Sequence, residues 1–267
     1  MIISINNKIN ITIICALIAL TGCTKEEQTI ATSQAQSQIS FNSFIEWCEQ
    51  KSTLPKEMKR TVEVLLEKAG TQDCQQANQK LSSLTELDVS ENGISNIQPL
   101  SGFTNLTTLR LPDNQISDIK PLANLTNLTV LDLSDNRISD LKPLANLTNL
   151  DNLILGDNKI SDLKPLANLT NLTRLHLGEN KINDLKPLSS LNKLDYLYLG
   201  VNKISDLRPL SSLTNLNNLP LKENRISNVK PLSSLTQLTW LNLKKNRISN
   251  VESLTSLTNL KFLSFHY

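Results

Sequence analysis

The sequence of 267 residues contains few of the residue types on which catalytic and metal sites depend, with two histidines, four cysteines and seven glycines. His176 and His266 lie far apart, and the sequence has no Ser-His-Asp grouping, glycine-rich phosphate loop or cluster with metal-ligand spacing. We therefore expect no enzymatic activity, no cofactor and no metal ion. The formal net charge is +2, too small to predict attraction to nucleic acid.

One asparagine recurs every 22 residues within the frame Leu-x-x-Leu-x-Leu-x-x-Asn-x-Ile. A period this regular predicts a solenoid of stacked, similar coils. A buried amide at this position can hydrogen-bond the backbone of its own turn and of the adjacent coil, so we interpret the asparagines as structural. They are Asn92, Asn114, Asn136, Asn158, Asn180, Asn202, Asn224 and Asn246.

Each period also predicts a short strand and a return turn. In the third repeat Leu131 and Leu133 alternate with outward residues, which indicates a half-buried strand. Ser139 and Asp140 suit the start of a single helical turn, and Pro143 presets φ for the return path. Parallel strands about 4.8 Å apart would build a concave sheet, with short 3-10 turns on the convex side. The predicted fold class is an α/β solenoid.

The run Asp-[Ile/Leu]-Lys-Pro-Leu-Ala-Asn-Leu-Thr-Asn-Leu occupies residues 118–128, 140–150 and 162–172. It resembles the 22-residue repeats of internalins and of the regulatory leucine-rich repeat subunit of protein phosphatase 1. The resemblance covers residues 84–267, as eight full repeats and a partial ninth. It implies a leucine-rich repeat horseshoe that recognises a protein through its concave face, although this scaffold hosts many unrelated partners.

Residues 1–22 have the features of a bacterial lipoprotein signal peptide. Lys8 precedes an apolar stretch that is too short for a lasting membrane span. The Leu-Thr-Gly-Cys run that ends at Cys23 matches a lipobox, in which the chain is cut before the cysteine and its thiol is lipidated. We expect export and a lipid anchor, with acyl chains such as palmitate, in the bacterial cell envelope. The alternative is an ordinary signal peptide with an incidental cysteine. The polar residues 23–40 predict a disordered tether.

Residues 41–83 predict a small helical cap of three helices that covers the open end of the first coil. Cys15 would leave with the signal peptide and Cys23 would be lipidated, which leaves Cys48 and Cys74 as one pair. An oxidising compartment favours a disulfide between them. A metal site would need further ligands nearby, and a redox pair would more often have C-x-x-C spacing.

We expect the functional residues at the outward positions where the repeats differ from one another. Aromatic residues make up 4% of the chain, yet four of them occupy outward positions on the last four strands. Exposed Tyr and Trp beside Arg are typical of binding hot spots. The alternative is that these rings shield strand backbone or stack on each other. The predicted partner-binding residues are Arg174, His176, Tyr196, Tyr198, Val201, Lys222, Trp240, Asn242 and Phe262.

These features together predict an exported, membrane-anchored lipoprotein whose concave face binds a protein partner. A second hypothesis is a cell-wall or glycan-binding module that uses Tyr196, Tyr198 and Trp240 as platforms for sugar rings, and a third is a purely structural surface protein. The last strand has inward Leu263 and Phe265 and no ladder asparagine. This end predicts weak self-association, a chain shortened from a longer array, or a frayed terminal strand.

Overall fold

The computed structural model describes residue 41 and residues 43–265. The signal peptide, Cys23, the tether and His266 therefore lie outside the described residues. The described residues begin with three helices, α1 (Phe44–Glu49), α2 (Lys56–Ala69) and α3 (Cys74–Ser83), with a 3-10 turn at Lys51–Thr53. Among the described residues, no helix is long and apolar enough to cross a membrane.

The local sequence explains where these helices begin and end. The Ser43 side chain caps α1 by accepting a hydrogen bond from the Glu46 amide, and the Asp73 side chain caps α3 in the same way. Helix α2 starts directly after Pro55 and ends at Gly70. Gly70 has a φ of 64°, a left-handed conformation that glycine adopts without strain.

A disulfide and aromatic packing hold the helical segment together and against the first coil. Cys48 and Cys74 are bonded, with their Cα atoms 5.6 Å apart, so α1 is linked covalently to the start of α3. The Phe44 ring of α1 lies 5.8 Å from the Phe103 ring of the first coil, centroid to centroid. The helices are thus packed on the solenoid by apolar side chains from both.

In the part of the chain that the structure describes, nine strands of three residues form one parallel sheet in sequential order. Successive strands pair with a shift of one repeat, as in Leu87 with Leu109. Short 3-10 turns such as Lys142–Leu144, with Pro143 in the turn, form the convex side. The predicted leucine-rich repeat horseshoe is confirmed. The strands are β1 (Glu86–Asp88), β2 (Thr108–Arg110), β3 (Val130–Asp132), β4 (Asn152–Ile154), β5 (Arg174–His176), β6 (Tyr196–Tyr198), β7 (Asn218–Pro220), β8 (Trp240–Asn242) and β9 (Phe262–Ser264).

The backbone pairing of the sheet is interrupted between β6 and β7. Only Tyr196 and Asn218 pair there, whereas three residue pairs join β5 to β6 and β7 to β8. Pro220 lies at the outward position of β7 and has no amide hydrogen to donate. The Leu199 amide still donates to the Pro220 carbonyl over 2.9 Å, so the two strands remain adjacent.

Each interior ladder asparagine joins two coils. The Asn136 side chain accepts a hydrogen bond from the Ile116 amide of the preceding coil at 2.9 Å. Its amide group donates to the Leu111 carbonyl of that coil at 2.9 Å and to the Leu133 carbonyl of its own turn at 3.2 Å. The six other asparagines from Asn114 to Asn246 make the same set of bonds.

Asn92 differs because no coil precedes it. Its side-chain amide donates to the Ser90 carbonyl of its own turn at 2.6 Å. The guanidinium of Arg60, from α2, donates to the Asn92 carbonyl at 2.9 Å and to the Asn92 side-chain oxygen at 3.5 Å. Arg60 of helix α2 thus donates to the Asn92 side-chain oxygen, as an amide of the preceding coil does for the later asparagines.

Candidate partner-binding surface

The outward residues of β5 to β9 carry the side chains that the sequence predicts to bind a partner. Strand alternation places them there: in β5, Arg174 and His176 point outward while Leu175 between them is buried. The same alternation orients Tyr196 and Tyr198 around a buried leucine in β6. The sheet therefore presents these side chains on one face.

Four of these residues form a central cluster across β5 and β6. The rings of His176 and Tyr198 stack with their centroids 4.3 Å apart and their planes 8° from parallel. The guanidinium carbon of Arg174 lies 5.0 Å from the centroid of the Tyr196 ring, a cation–π contact. Parallel pairing places each of these partners directly opposite the other, so the sheet register itself assembles the cluster.

Two glycines receive the stacked rings. A Cβ atom at Gly178 would lie 2.2 Å from Cε1 of Tyr198, and one at Gly156 would lie 2.6 Å from Nδ1 of His176. Both rings therefore rest in space that any other residue would occupy. These glycines are not among the predicted partner-binding residues, although they break a column of larger residues. The corresponding positions in the first three repeats are Ser90, Pro112 and Ser134.

An outer cluster lies beyond β7. The rings of Trp240 and Phe262 stack with centroids 4.8 Å apart and planes 11° from parallel, and Phe262 is 40% exposed. Asn218 and Pro220 of β7 separate this pair from the central cluster. The aromatic residues that the sequence predicts as one site thus form two clusters, each with one pair of stacked rings.

The remaining predicted residues have distinct settings. Val201 precedes its ladder asparagine with a φ of 56°, a left-handed conformation that is rare for a β-branched residue. The stem of Lys222 runs beside Gly200, where a Cβ atom would lie 3.1 Å from Cγ of the lysine. The Asn242 side chain accepts a hydrogen bond from the Lys244 amide at 3.1 Å and so also stabilises its own turn.

Burial shifts the pKa values of two residues in the central cluster. It lowers the pKa of His176 below its ordinary value, although the carboxylates of Asp132 and Glu179 oppose this effect. Burial raises the pKa of Tyr196, the neighbouring Tyr198 adds to the rise, and Arg174 opposes it. At neutral pH the imidazole is therefore uncharged and the phenol is protonated. The positive charge of the cluster resides on Arg174.

Within the described part of the chain, no three His, Cys, Asp or Glu side chains lie together in a way that could hold a metal ion. Nδ1 of His176 is buried and has no hydrogen-bond partner among the described residues. The central cluster offers aromatic rings and one guanidinium. Such groups suit the binding of a partner surface by apolar and cation–π contacts.

A family model for leucine-rich repeats in two copies matches residues 82–124, 104–146, 126–168 and 148–190. A comparison with curated protein sequences finds no significant match. The plant peptide hormone receptor RGFR1, solved in complex with RGF2, shares the fold, with 24% identity and a TM-score of 0.62 over 70% of this chain and 32% of the receptor.

Two bacterial structures are more similar in sequence. Internalin C2 from Listeria monocytogenes is 35% identical, with a TM-score of 0.72, over 77% of this chain and 92% of that one. An internalin (inlF) from the same organism is 33% identical, with a TM-score of 0.58, over 77% of this chain and 74% of that one. The repeat frame, the asparagine ladder and these similarities show that the chain belongs to the leucine-rich repeat family, as an internalin-like member.

Proposed function

We propose that the chain is an exported, membrane-anchored lipoprotein that binds a protein partner through the concave face of its repeats. Leucine-rich repeat solenoids generally serve as binding scaffolds, and their concave surfaces suit this task. The observation that carries the proposal is the concentration of aromatic side chains and Arg174 on the outward face of β5, β6, β8 and β9.

The central cluster is also organised in advance of binding. The rings of His176 and Tyr198 are held between each other and the backbone at Gly156 and Gly178, so they have little rotamer freedom left to lose. Ordering side chains on binding costs about 0.5 to 1.5 kcal/mol each, and a prearranged surface avoids much of that cost. Rigid aromatic residues beside an arginine are the usual anchors of protein interfaces.

The stacking favours a protein over a glycan as partner. A sugar ring binds to the open face of an aromatic side chain, but His176 and Tyr198 cover one face of each other, as do Trp240 and Phe262. Beside the stacked pair, the central cluster presents the Arg174 guanidinium on the Tyr196 ring. This surface suits the mixed apolar and polar contacts of a protein interface.

The proposed export and anchoring rest on the sequence at Cys23, since two or more acyl chains hold a protein stably on a membrane. Cys23→Ser should release the protein from membranes or leave it unprocessed. Membrane fractionation of the variant and its parent measures this. A mature Cys23→Ser protein that stays firmly with membranes would refute the lipid anchor.

Recovery of a partner from native envelopes with residues 24–267, followed by cross-link mapping, tests the binding proposal. Tyr198→Ala or Trp240→Ala should weaken binding of the recovered protein by on the order of 1 to 3 kcal/mol and leave the melting temperature nearly unchanged. Lys142→Ala, on the convex side, is the matched control and should have no effect. Cross-links that map to the convex lysines would overturn the proposal.

We also propose weak self-association at the edge of β9. Leu263 and Phe265 are 38% and 37% exposed, and among the described residues no strand pairs with the outer edge of β9. An exposed apolar edge strand favours pairing with another chain. Sedimentation over a wide concentration range should show mass increasing with concentration, and Leu263→Lys should abolish the increase. A parent protein that is monomeric throughout would contradict this proposal.

A further inference from the structure

We infer that the concave face orients its partner by charge: it takes a protein surface that is basic opposite repeats 1–4 and acidic opposite repeats 7 and 8, with an apolar contact at the central cluster. Each repeat is numbered by its strand. The inference rests on the proposed concave-face binding and adds to it the chemistry and the direction of the partner.

Apart from Arg110, the charged side chains at the outward positions of repeats 1–4 are acidic. Only one ion pair occurs on this part of the face among the described residues, between Arg110 and Glu86 at 3.9 Å. The other carboxylates have no lysine or arginine nitrogen within ion-pair distance in the described part of the chain. This acidic half consists of Glu86, Asp88, Asp113, Asp132, Asp135 and Asp157.

Asp113, Asp135 and Asp157 repel one another because they occupy matching positions of neighbouring repeats. Residues at matching positions of neighbouring strands are about 4.8 Å apart. Partial burial and the nearby charges of Asp113, Asp157 and Glu179 raise the pKa of Asp135. The fold thus keeps like charges together at some cost in stability. A basic surface docked on them would relieve the repulsion.

The charge reverses at the other end of the sheet. Glu223 is the acid there, and it is paired with Lys245 at 3.0 Å. The row that follows the ladder asparagines is neutral in the first two repeats, at Gly93 and Gln115, and basic in repeats 3 to 8, so the reversal depends mainly on the outward columns. The basic half consists of Lys222, Lys244 and Lys245 in those columns and of Arg225 and Arg247 in that row.

Such a pattern orients a partner as well as attracting it. The strands from β2 to β8 span roughly 30 Å, which exceeds the screening length at physiological salt, so each half acts on the partner locally. A partner of uniform charge would be repelled at one half, and a reversed partner at both. Complementary charge therefore determines direction, while the central cluster supplies the apolar contact.

The charge orientation can be tested with substitutions to asparagine, a residue that another repeat already has at the position of Asp88 and Asp132. Asn242 accepts the Lys244 amide in β8 as Asp132 accepts the Ser134 amide in β3, so asparagine keeps this bond. Asparagine also tolerates the left-handed φ found at Asp135 and Asp157. The concave variant combines Asp88→Asn, Asp132→Asn, Asp135→Asn and Asp157→Asn.

A convex variant with the same change in charge is the control. Asn96 and Asn228 already occupy the convex position of Asp118 in other repeats and accept the same backbone bond. The convex variant therefore keeps its turns while it loses four carboxylates. It combines Asp118→Asn, Asp140→Asn, Asp162→Asn and Asp184→Asn.

The probe is a synthetic peptide with four lysines, two tryptophans and four glutamates in that order, spaced by glycines. Its comparison peptide has the same composition with alternating charges. Binding to the full chain in detergent is measured by fluorescence, and carbodiimide cross-linking locates the lysines. The polarised peptide should bind about tenfold more tightly than the alternating one. The concave variant should remove this advantage, and the convex variant should keep it.

Equal affinity for the two peptides, equal loss in both variants, or cross-links to convex carboxylates would overturn the inference. Tyr198→Ala separates it from the proposed function. If Tyr198→Ala weakens binding of the polarised peptide but the concave variant does not, concave-face binding stands and the charge orientation is wrong. If neither change matters, binding at the concave face is itself contradicted.

Discussion

At its N-terminal end the solenoid is covered by three helices, whereas at β9 no described element covers the last coil. Leu87 and Leu263 occupy the same position in their strands, yet they are 4% and 38% exposed. The residue type is identical and the neighbours differ. In a repeat protein a leucine is buried chiefly by the coil or cap beyond it, so end effects decide how much each repeat contributes to stability.

The two ends also differ in how they satisfy backbone groups. Asn92 has no preceding coil, and Arg60 donates to it instead, while the Thr61 hydroxyl donates to the Asn96 carbonyl at 2.6 Å. The helical segment therefore supplies hydrogen bonds as well as apolar cover. This comparison can be tested by changes at either end and between them.

The largest effect is expected from the disulfide at the closed end. Replacing both cysteines, Cys48→Ser with Cys74→Ser, releases a cross-link between residues 26 positions apart. The chain-entropy model predicts a loss of about 3.5 kcal/mol in unfolding free energy, measured by urea denaturation. Reductant should destabilise the parent similarly and leave the variant unchanged. A loss within experimental error would show that the helices cover this end without the cross-link.

Leucine truncation compares the two ends directly. Leu87→Ala should lower the unfolding free energy by about 3 kcal/mol because it leaves a cavity in a buried site. Leu263→Ala should lower it by less than about 1 kcal/mol, since that side chain is already partly in water. Thermal and urea unfolding of the two variants measures the difference. Similar losses would mean that β9 is covered in solution.

Asparagine substitution compares the interior with the closed end. Asn158→Leu leaves the buried Ile138 amide without a partner and removes one of the two donors to the Leu133 carbonyl, which should cost about 2 kcal/mol. Asn92→Leu should cost less, because Arg60 still donates to the backbone carbonyl there. Lys159→Ala, beside the ladder, is the control and should change almost nothing. Equal melting shifts for Asn158→Leu and Lys159→Ala would show that the ladder asparagine does not stabilise the solenoid.

Val201 lies between the two ends of the solenoid, in the repeat that contains Tyr196 and Tyr198, and its left-handed φ strains the backbone there. Val201→Asn should raise the unfolding free energy by about 1 kcal/mol, because asparagine tolerates a positive φ and valine does not. Asp135→Val installs the same strain in repeat 3 and should destabilise. Calorimetry measures both changes. A destabilised Val201→Asn would mean that packing of the valine outweighs its backbone strain.

The smallest effect concerns pH and has opposite signs at two acids. The pKa of Asp88 is lowered, first by the hydrogen bond from the Ser90 hydroxyl, so its contribution to stability is present above its ordinary pKa of 3.8 and is lost as pH falls. The pKa of Asp135 is raised, so its ionised form destabilises at neutral pH and this penalty disappears as pH falls through the folded-state pKa toward 3.8.

Asp135→Asn should therefore stabilise at neutral pH by less than about 1 kcal/mol, since solvent screens an exposed carboxylate. The gain should decrease as pH falls through the raised folded-state pKa of Asp135, because the parent carboxyl then becomes protonated in the fold. Urea unfolding at several pH values measures it, with Asp118→Asn on the convex side as the control. A constant gain at all pH values would show that the effect is not electrostatic.

Much of the fold could be predicted because it is periodic. The alternation around Leu131 and the recurrence of Asn136 define strand, turn and register together, and each repeat confirms the last. The candidate site could be predicted only in part. Outward positions follow from alternation, so the outward placement of Tyr198 and Trp240 could be predicted. Their grouping into two clusters depends on β7, where Pro220 interrupts the backbone pairing of the sheet.

The solenoid, its strand register and the column to which each outward residue belongs follow from the sequence alone, because these depend on a repeated local pattern. The packing of the folded chain places the rings of His176 and Tyr198 on glycines of the preceding repeats, makes the backbone at Val201 left-handed and brings Arg60 to Asn92. These features arise from contacts between neighbouring coils, and the conformation of a side chain there is set by the space that the next coil leaves.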